Sequence, residues 1–261
     1  MTTSHDDRVR EQFRLQAGTF DDRGWAARGL EWIVGQLRPG AGDQVLDVAA
    51  GAAHLGRALA PHVRHVSALD LTPEMLDQGQ RLARSAGLGN MAFLVGNATA
   101  LPWLDGQFDL VVCRLALHQV ADPAAVVREM VRVTRPGGRV GVTDMITEEP
   151  VRAETNRLER LRDPSHGTTL TLAEIHDLLA AAGAEVTSTA TQDQPLDLED
   201  WMHRTATPED ARAEIRERMR TELDGGPETG LRPSRDADGV LTFVHTWATT
   251  VAGIPGFTSN V

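Results

Sequence analysis

No lysine and no tyrosine occur in the 261 residues. A Schiff-base lysine, a phosphate-loop lysine and a Tyr/Lys proton-transfer pair are therefore excluded. Any general base has to be His, Asp, Glu, the cysteine or a bound water. The single cysteine, Cys113, permits no intrachain disulfide, which fits a reducing compartment. No apolar run is long enough to span a bilayer, and the opening MTTSHDDRVREQF has no apolar signal core. A cytoplasmic protein without a membrane partner is expected. Basic charge is scarce relative to acidic charge: 26 arginines against 37 Asp and Glu leave a net charge of -11. That balance argues against a nucleic-acid partner, which needs a basic face, and leaves a small-molecule ligand as the expected partner.

What the chain does contain is an alternation of apolar runs and amphipathic stretches. Residues 7–38 carry a helical pattern in Phe13, Ala17 and Phe20, then Trp25, Leu30, Ile33, Val34 and Leu37. Buried strands are expected at 44–50, 65–70, 91–96, 108–114 and 139–145, with helices near 54–61, 73–87 and 123–134. Thr72-Pro73-Glu74 reads as a helix start, with Thr as cap, Pro in the first turn and Glu at the positive helix end. Strands alternating with helices on short connections imply an α/β fold, a parallel sheet with helices on both faces. Further on, 148–162, 171–183, 197–204 and 207–223 read as helices. A sixth strand is expected at 184–191 and a final strand at 240–253, the latter antiparallel at or near the sheet edge.

Parallel α/β sheets bind ligands at the carboxyl ends of their strands, and four features fall there in order. VLDVAAGAAHLG (45–56) joins a strand to a helix through small residues that let backbone approach a ligand. Asp70 closes the second strand, where a carboxylate can accept bonds from both hydroxyls of a ribose. VGNATALP (95–102) offers Asn97 and the backbone of Ala98 to an adenine edge. FDLVVCRLALHQV (108–120) ends toward the reacting part of a ligand.

These stretches, with ALDLTPEML (68–76) and REMVRVTRPGGRVGVTD (128–144), resemble class I methyltransferases dependent on S-adenosylmethionine (SAM). The likeness is to the branch that holds the ubiquinone and menaquinone C-methyltransferases and their bacterial small-molecule relatives. NRLERLRDPSH (156–166) is similar to the active-site lid of one subgroup. The resemblance implies a Rossmann-like, seven-stranded, mostly parallel sheet with an antiparallel last strand. It implies one domain over 1–261, with a helical cap at 1–40, a lid-like insertion at 148–170 and a helical elaboration at 192–238. It implies that Asp47, Ala49 and Gly51 line the methionine end of SAM, with Arg114 nearby. Asp70 then holds the ribose, Leu71 and Met75 flank the adenine, and Asn97 and Ala98 meet its edge. S-adenosylhomocysteine is the implied product. The sequence departs from the family pattern at 49 and 53, where alanine stands for the usual glycine, and at 97, where asparagine stands for aspartate. Either the alanines keep a negative φ, or each carries roughly 1–2 kcal/mol of strain that weakens the cofactor site. Asparagine keeps an acceptor oxygen.

Methyl transfer needs alignment first and a base only when the acceptor is protonated. His118, after the fourth strand, is the first candidate base and His166 the second. The 156–166 segment brings Asn156, Arg162 and Asp163 toward a substrate, expected to be aromatic or enolisable. The bland readings are a structural histidine at 118 and a surface ion pair at Arg162–Asp163. His62 and His65 lack a second cluster, so no metal is expected. His118, Asp163 and His166 as a metal-binding set of two His and one carboxylate rank below methyl transfer. Trp103, Trp201 and Trp247 are core or pocket wall. Competing readings are a rearrangement enzyme that keeps the fold and the cofactor, a non-catalytic binding subunit, and, more distantly, a nicotinamide oxidoreductase. The last is disfavoured by the absence of G-x-G-x-x-G in the first turn.

Overall fold

Five parallel strands set the frame. β1 (Gln44–Val48), β2 (His65–Asp70), β3 (Met91–Val95), β4 (Phe108–Arg114) and β5 (Thr134–Ile146) pair in the order β3-β2-β1-β4-β5. The computed structural model describes residues 4–17 and 25–256, and Phe20 of the expected helical stripe lies outside them. β8 (Leu241–Gly253) lies antiparallel on β5, and β6 (Glu185–Asp197) lies antiparallel on β8. A two-residue β7 (Ser234–Arg235) pairs with β8 between the last helical segment and the final strand. The sheet is thus the expected mostly parallel one with an antiparallel last strand.

The last strand lies one in from the edge, near it as expected. β8 is buried along Trp247–Ala252, whereas β6 is mostly exposed over its first nine residues and so takes the rim. β6 also runs past its expected end to Asp197 and includes Pro195. An edge strand tolerates a proline because one side of its ladder has no partner to lose.

Strand alternation divides the core. In β4, Leu110 and Val112 face one side with Val45 of β1, and Val111 and Cys113 face the other with Leu46 and Val48. The first side is covered by α2 (Leu30–Leu37) and α3 (His54–Leu59) through Ile33, Leu37, Leu55 and Leu59. The second is covered by α5 (Pro123–Val133) and α7 (Leu172–Ala181). Val126, Val127, Met130 and Val133 form the helical stripe of α5. A third cluster joins α6 (Arg152–Arg162), α8 (Leu198–Arg204) and α9 (Glu209–Leu223) to Phe243 of β8, around Trp201. The later helical segments therefore share one small core at the end of the β6–β8 pair.

Two local expectations change. The 7–38 stretch is not one helix: α1 (His5–Gln16) and α2 are separate, with a short 3-10 turn at Trp25–Ala27 and a left-handed Gly29 (φ 68°) before α2. Thr72 precedes α4 (Pro73–Ser85), but its side chain makes no cap bond; its N–H instead donates to Asp70. Among the described residues, no helix is long and apolar enough to cross a membrane.

Candidate active site

The strand order reverses between β1 and β4, and at their carboxyl ends lies a cavity of about 580 Å³. Clefts of this kind are where open α/β sheets take ligands, and the volume suits a cofactor with a small partner.

The turn after β1 forms its floor. Ala49 (φ 52°), Gly51 (φ 55°) and Ala53 (φ 52°) are all left-handed. The alanines thus take the strained alternative, at roughly 1–2 kcal/mol each. Tertiary bonds hold them there: Ala50 N–H donates to the Leu69 carbonyl at 2.9 Å, Ala53 N–H to the Ala50 carbonyl at 2.8 Å, and Gly51 N–H to Asp70 Oδ2 at 2.7 Å. At Gly51 a Cβ would meet Met75 Cε at 3.0 Å, so glycine takes the left-handed φ and the close methionine without strain.

Asp70 accepts from Gly51 N–H and, through Oδ1, from Thr72 N–H at 2.8 Å. Burial pushes its carboxyl up, and these bonds oppose that. Asp47 accepts from Gly56 N–H at 2.8 Å, and burial pushes it up to about 7. Arg114, enclosed by protein at the end of β4, is pushed down to about 10 by burial. It donates to the Arg28 carbonyl at 3.1 Å and stacks over Trp247 at 5.2 Å. Leu71, Met75, Asn97 and Ala98 complete this end, so all nine residues that the sequence placed at a cofactor line one cavity. Asn97 turns inward: its Oδ1 accepts from Thr99 N–H at 2.9 Å, and its Nδ2 donates to Asp6 of α1 at 3.0 Å. His5 of α1 donates from Nε2 to the Gln119 carbonyl at 2.6 Å. The N-terminal helix thus lies across the opening.

At the far end, His118 lines the cavity and is joined through Nδ1 to Asp144 Oδ1 at 2.5 Å. Asp144 Oδ2 also accepts the His118 N–H at 3.3 Å. Burial works against a charged ring, but the Asp144 carboxylate and its hydrogen bond prevail, and the His118 pKa is raised. Among the described residues nothing bonds Nε2. A carboxylate on one ring nitrogen with the other open to a cavity is the arrangement of a positioned general base.

His166 and Asn156 do not line the cavity. His166 stacks behind His118, with centroids 5.7 Å apart and planes at 29°. Asn156 Oδ1 accepts from Thr169 N–H at 2.7 Å while its Nδ2 donates to the Arg152 carbonyl at 3.0 Å. That fixes the amide, so His166 Nε2, at 2.8 Å from the same Oδ1, is the donor. Burial pushes His166 down to about 4, and it stands neutral. Asp163 lines the cavity, but its oxygens accept from Ser165 N–H at 2.9 Å and Gln119 Nε2 at 3.3 Å, tying the 156–166 segment to the loop after β4. Arg162 lines the cavity, stacked over Trp201 at 4.9 Å. Trp201 and Trp247 line it too, whereas Trp103 packs edge-on to Phe108 in the core. No group of three His, Cys, Asp or Glu among the described residues is arranged to hold a metal ion.

Sequence reasoning missed Asp144, Glu159, His245 and Arg204. Asp144 had a signal, a carboxylate near the carboxyl end of a strand, like Asp70. Buried Glu159 contacts His245 at 3.0 Å and Arg162 at 3.4 Å. Burial opposes its charge, but the His245 contact and the Arg162 guanidinium hold it well below the usual carboxylate range. Nothing in the sequence pairs these positions.

Residues 46–142 match the family model described as a methyltransferase domain. The uncharacterized methyltransferase YcgJ of Bacillus subtilis is 35% identical over 174 residues, 66% of this chain and 69% of that protein. Its crystal structure superposes with a TM-score of 0.79 at 28% identity, covering 88% of this chain and 99% of that one. A demethylmenaquinone methyltransferase of Geobacillus kaustophilus is 34% identical over 147 residues, 53% of this chain and 63% of that protein. The 4+2 cyclase SpnF shares the fold alone, with a TM-score of 0.67 at 19% identity over 98% of both chains. A small-residue turn, a strand-ending carboxylate and a cavity at the sheet's switch point accord with these likenesses, and this chain belongs to the SAM-dependent methyltransferases.

Proposed function

We propose that the chain methylates a small-molecule acceptor, aromatic or enolisable, whose proton is taken by His118 Nε2. The observation that carries this reading is the His118–Asp144 pair opening into the same cavity as Asp70 and Gly51. Bound SAM supplies an electrophilic methyl on a sulfonium sulfur. The residues present fit that group: the left-handed turn brings backbone to the cavity wall, and a Cβ at Gly51 would crowd Met75 there. Asp47, Ala49, Gly51 and Arg114 would hold the methionine end and Asp70 the ribose. Leu71 and Met75 would flank the adenine, and Asn97 and Ala98 would meet its edge.

His118 accepts the acceptor's proton, and Asp144 orients the ring and stabilises its cationic form. His166, neutral and stacked behind, keeps a second positive charge away. α1 across the opening excludes water, and fixed orientation of acceptor and methyl can contribute roughly 7–11 kcal/mol. A second reading keeps the fold and cofactor but rearranges the substrate, motivated by the strained alanines at 49 and 53 and by the fold shared with a cyclase.

Calorimetry with SAM and S-adenosylhomocysteine, on wild type and Asp70→Ala, comes first. Transfer of labelled methyl to a panel of phenols and 1,3-dicarbonyls follows. A product heavier by one methyl supports the proposal. A product of unchanged mass supports rearrangement, and no binding of either nucleoside sinks both.

A further inference from the structure

Three arginines line the cavity, and they are not equally satisfied. Arg114 faces the buried carboxylate of Asp47 and donates to a backbone carbonyl. Arg162 is neutralised by Glu159 at 3.4 Å and donates from Nε to the Trp201 carbonyl at 3.2 Å. Arg204, the last residue of α8, has no close partner of either kind among the described residues. Its side chain is only 7% exposed, and its ion-pair neighbour is exposed Asp200 at 3.9 Å, beyond hydrogen-bond length. Among the described residues its Nε has no hydrogen-bond partner. What holds it is stacking: the guanidinium sits over the Trp25 ring at 4.5 Å, and Trp25 also lines the cavity.

A buried guanidinium whose counterion is distant and exposed is poorly compensated for its lost hydration. Stacking on an indole offsets part of that cost. Burial, and then the nearby positive charge of Arg162, push Arg204 down to about 9, which marks a site short of negative charge.

We infer that Arg204 receives the carboxylate of the methyl acceptor, so that the substrate is an aromatic or enolisable carboxylic acid. The inference rests on the methyl-transfer reading above and names its substrate class. A carboxylate fits better than a phosphate for two reasons. One planar guanidinium fork matches one planar carboxylate in shape and charge. A phosphate dianion would need a second free cation, and Arg162 is already committed to Glu159. The tryptophans around the cavity, Trp25, Trp201 and Trp247, give a flat apolar body something to lie against.

The test uses the full chain saturated with S-adenosylhomocysteine, titrated by calorimetry with matched pairs: 4-hydroxybenzoate and 4-hydroxybenzamide, indole-3-acetate and indole-3-acetamide. Phenyl phosphate is a separate arm. At least one acid is expected to bind roughly ten- to a hundredfold more tightly than its amide. Arg204→Gln should erase that preference with the nucleoside affinity unchanged, which also reports the fold. Arg204→Lys keeps the charge but not the fork, and should keep part of the preference even if the glutamine variant fails to fold. Equal binding of acids and amides, no binding of any acid, tighter binding of phenyl phosphate, or a preference that survives Arg204→Gln would each overturn the assignment. Absence of any acid preference in the wild type with nucleoside binding intact overturns the assignment and leaves the methyl-transfer reading standing. Failure of wild type to bind the nucleoside overturns both.

Discussion

His118 and Asp144 are joined twice: Nδ1 to Oδ1 at 2.5 Å and backbone N–H to Oδ2 at 3.3 Å. The double contact fixes both the ring and the loop that carries it. Replacing His118 by Gln keeps a polar side chain but removes the base. Methyl transfer should fall by roughly a hundred- to ten-thousandfold in kcat. SAM affinity, measured by calorimetry, should hold, and a parallel loss of affinity would assign His118 to binding instead.

The pH dependence follows from the raised His118 pKa. A histidine that binds its proton more tightly when folded stabilises the fold fully below its ordinary value of 6.5, and that contribution is lost as pH rises through the raised value. Catalysis has the opposite sign, because the neutral ring is the base, so the rate climbs across that window. Asp144→Asn removes the opposing charge and leaves burial dominant. The rising limb of the rate profile should move to lower pH while kcat drops. An unmoved limb would dissociate Asp144 from the base.

Asp70 gathers two backbone N–H groups and faces the ligand cavity. Asp70→Ala orphans those donors and removes the acceptor for a ribose. Hydrogen bonds to a charged group contribute about 1.5–3 kcal/mol each, so SAM affinity should fall by at least about tenfold. The melting temperature should fall with it. Unchanged affinity would place the cofactor elsewhere.

The two left-handed alanines should respond differently to glycine. Each substitution relieves roughly 1–2 kcal/mol of strain and adds about 0.5–1 kcal/mol of backbone entropy cost. Ala53 is 0% exposed and also loses a packed methyl worth about 0.8 kcal/mol. Ala49→Gly should therefore raise the melting temperature slightly, and Ala53→Gly should leave it level or lower. The reverse order in a thermal scan would mean that packing, not φ, governs position 49.

Glu159 is 1% exposed and serves both His245 and Arg162. Glu159→Gln strands those groups, and removing one partner of a buried pair costs about 3–5 kcal/mol. Its depressed pKa gives stability that is present above the ordinary carboxylate value of 4.5 and lost as pH falls toward the depressed value. The variant should be less stable near neutrality, with a shallower loss in acid. Equal denaturant midpoints at neutral pH would show the pair to be energetically idle.

The sequence by itself determined the parallel frame. Near-continuous apolar runs such as QVLDV and DLVVC, set between amphipathic stretches, admit little but a two-sided α/β sheet. The carboxyl ends of those strands then put Asp70, Gly51 and His118 on one rim. Local signals such as the small-residue turn are readable because the chemistry and the spacing lie within a few residues of each other. What only the tertiary structure decided depends on separation along the chain. β8 became internal because β6 offers it a ladder and is itself too polar to be buried. The turn that carries Ala49 and Ala53 at positive φ is anchored between them, where Ala50 and Gly51 donate to Leu69 and Asp70 some twenty residues away. His118 found its carboxylate 26 residues on, and Arg204 its indole at Trp25. Such pairings leave no periodic trace, because they are set by how helices and strands pack and not by what each residue does to its neighbours in sequence.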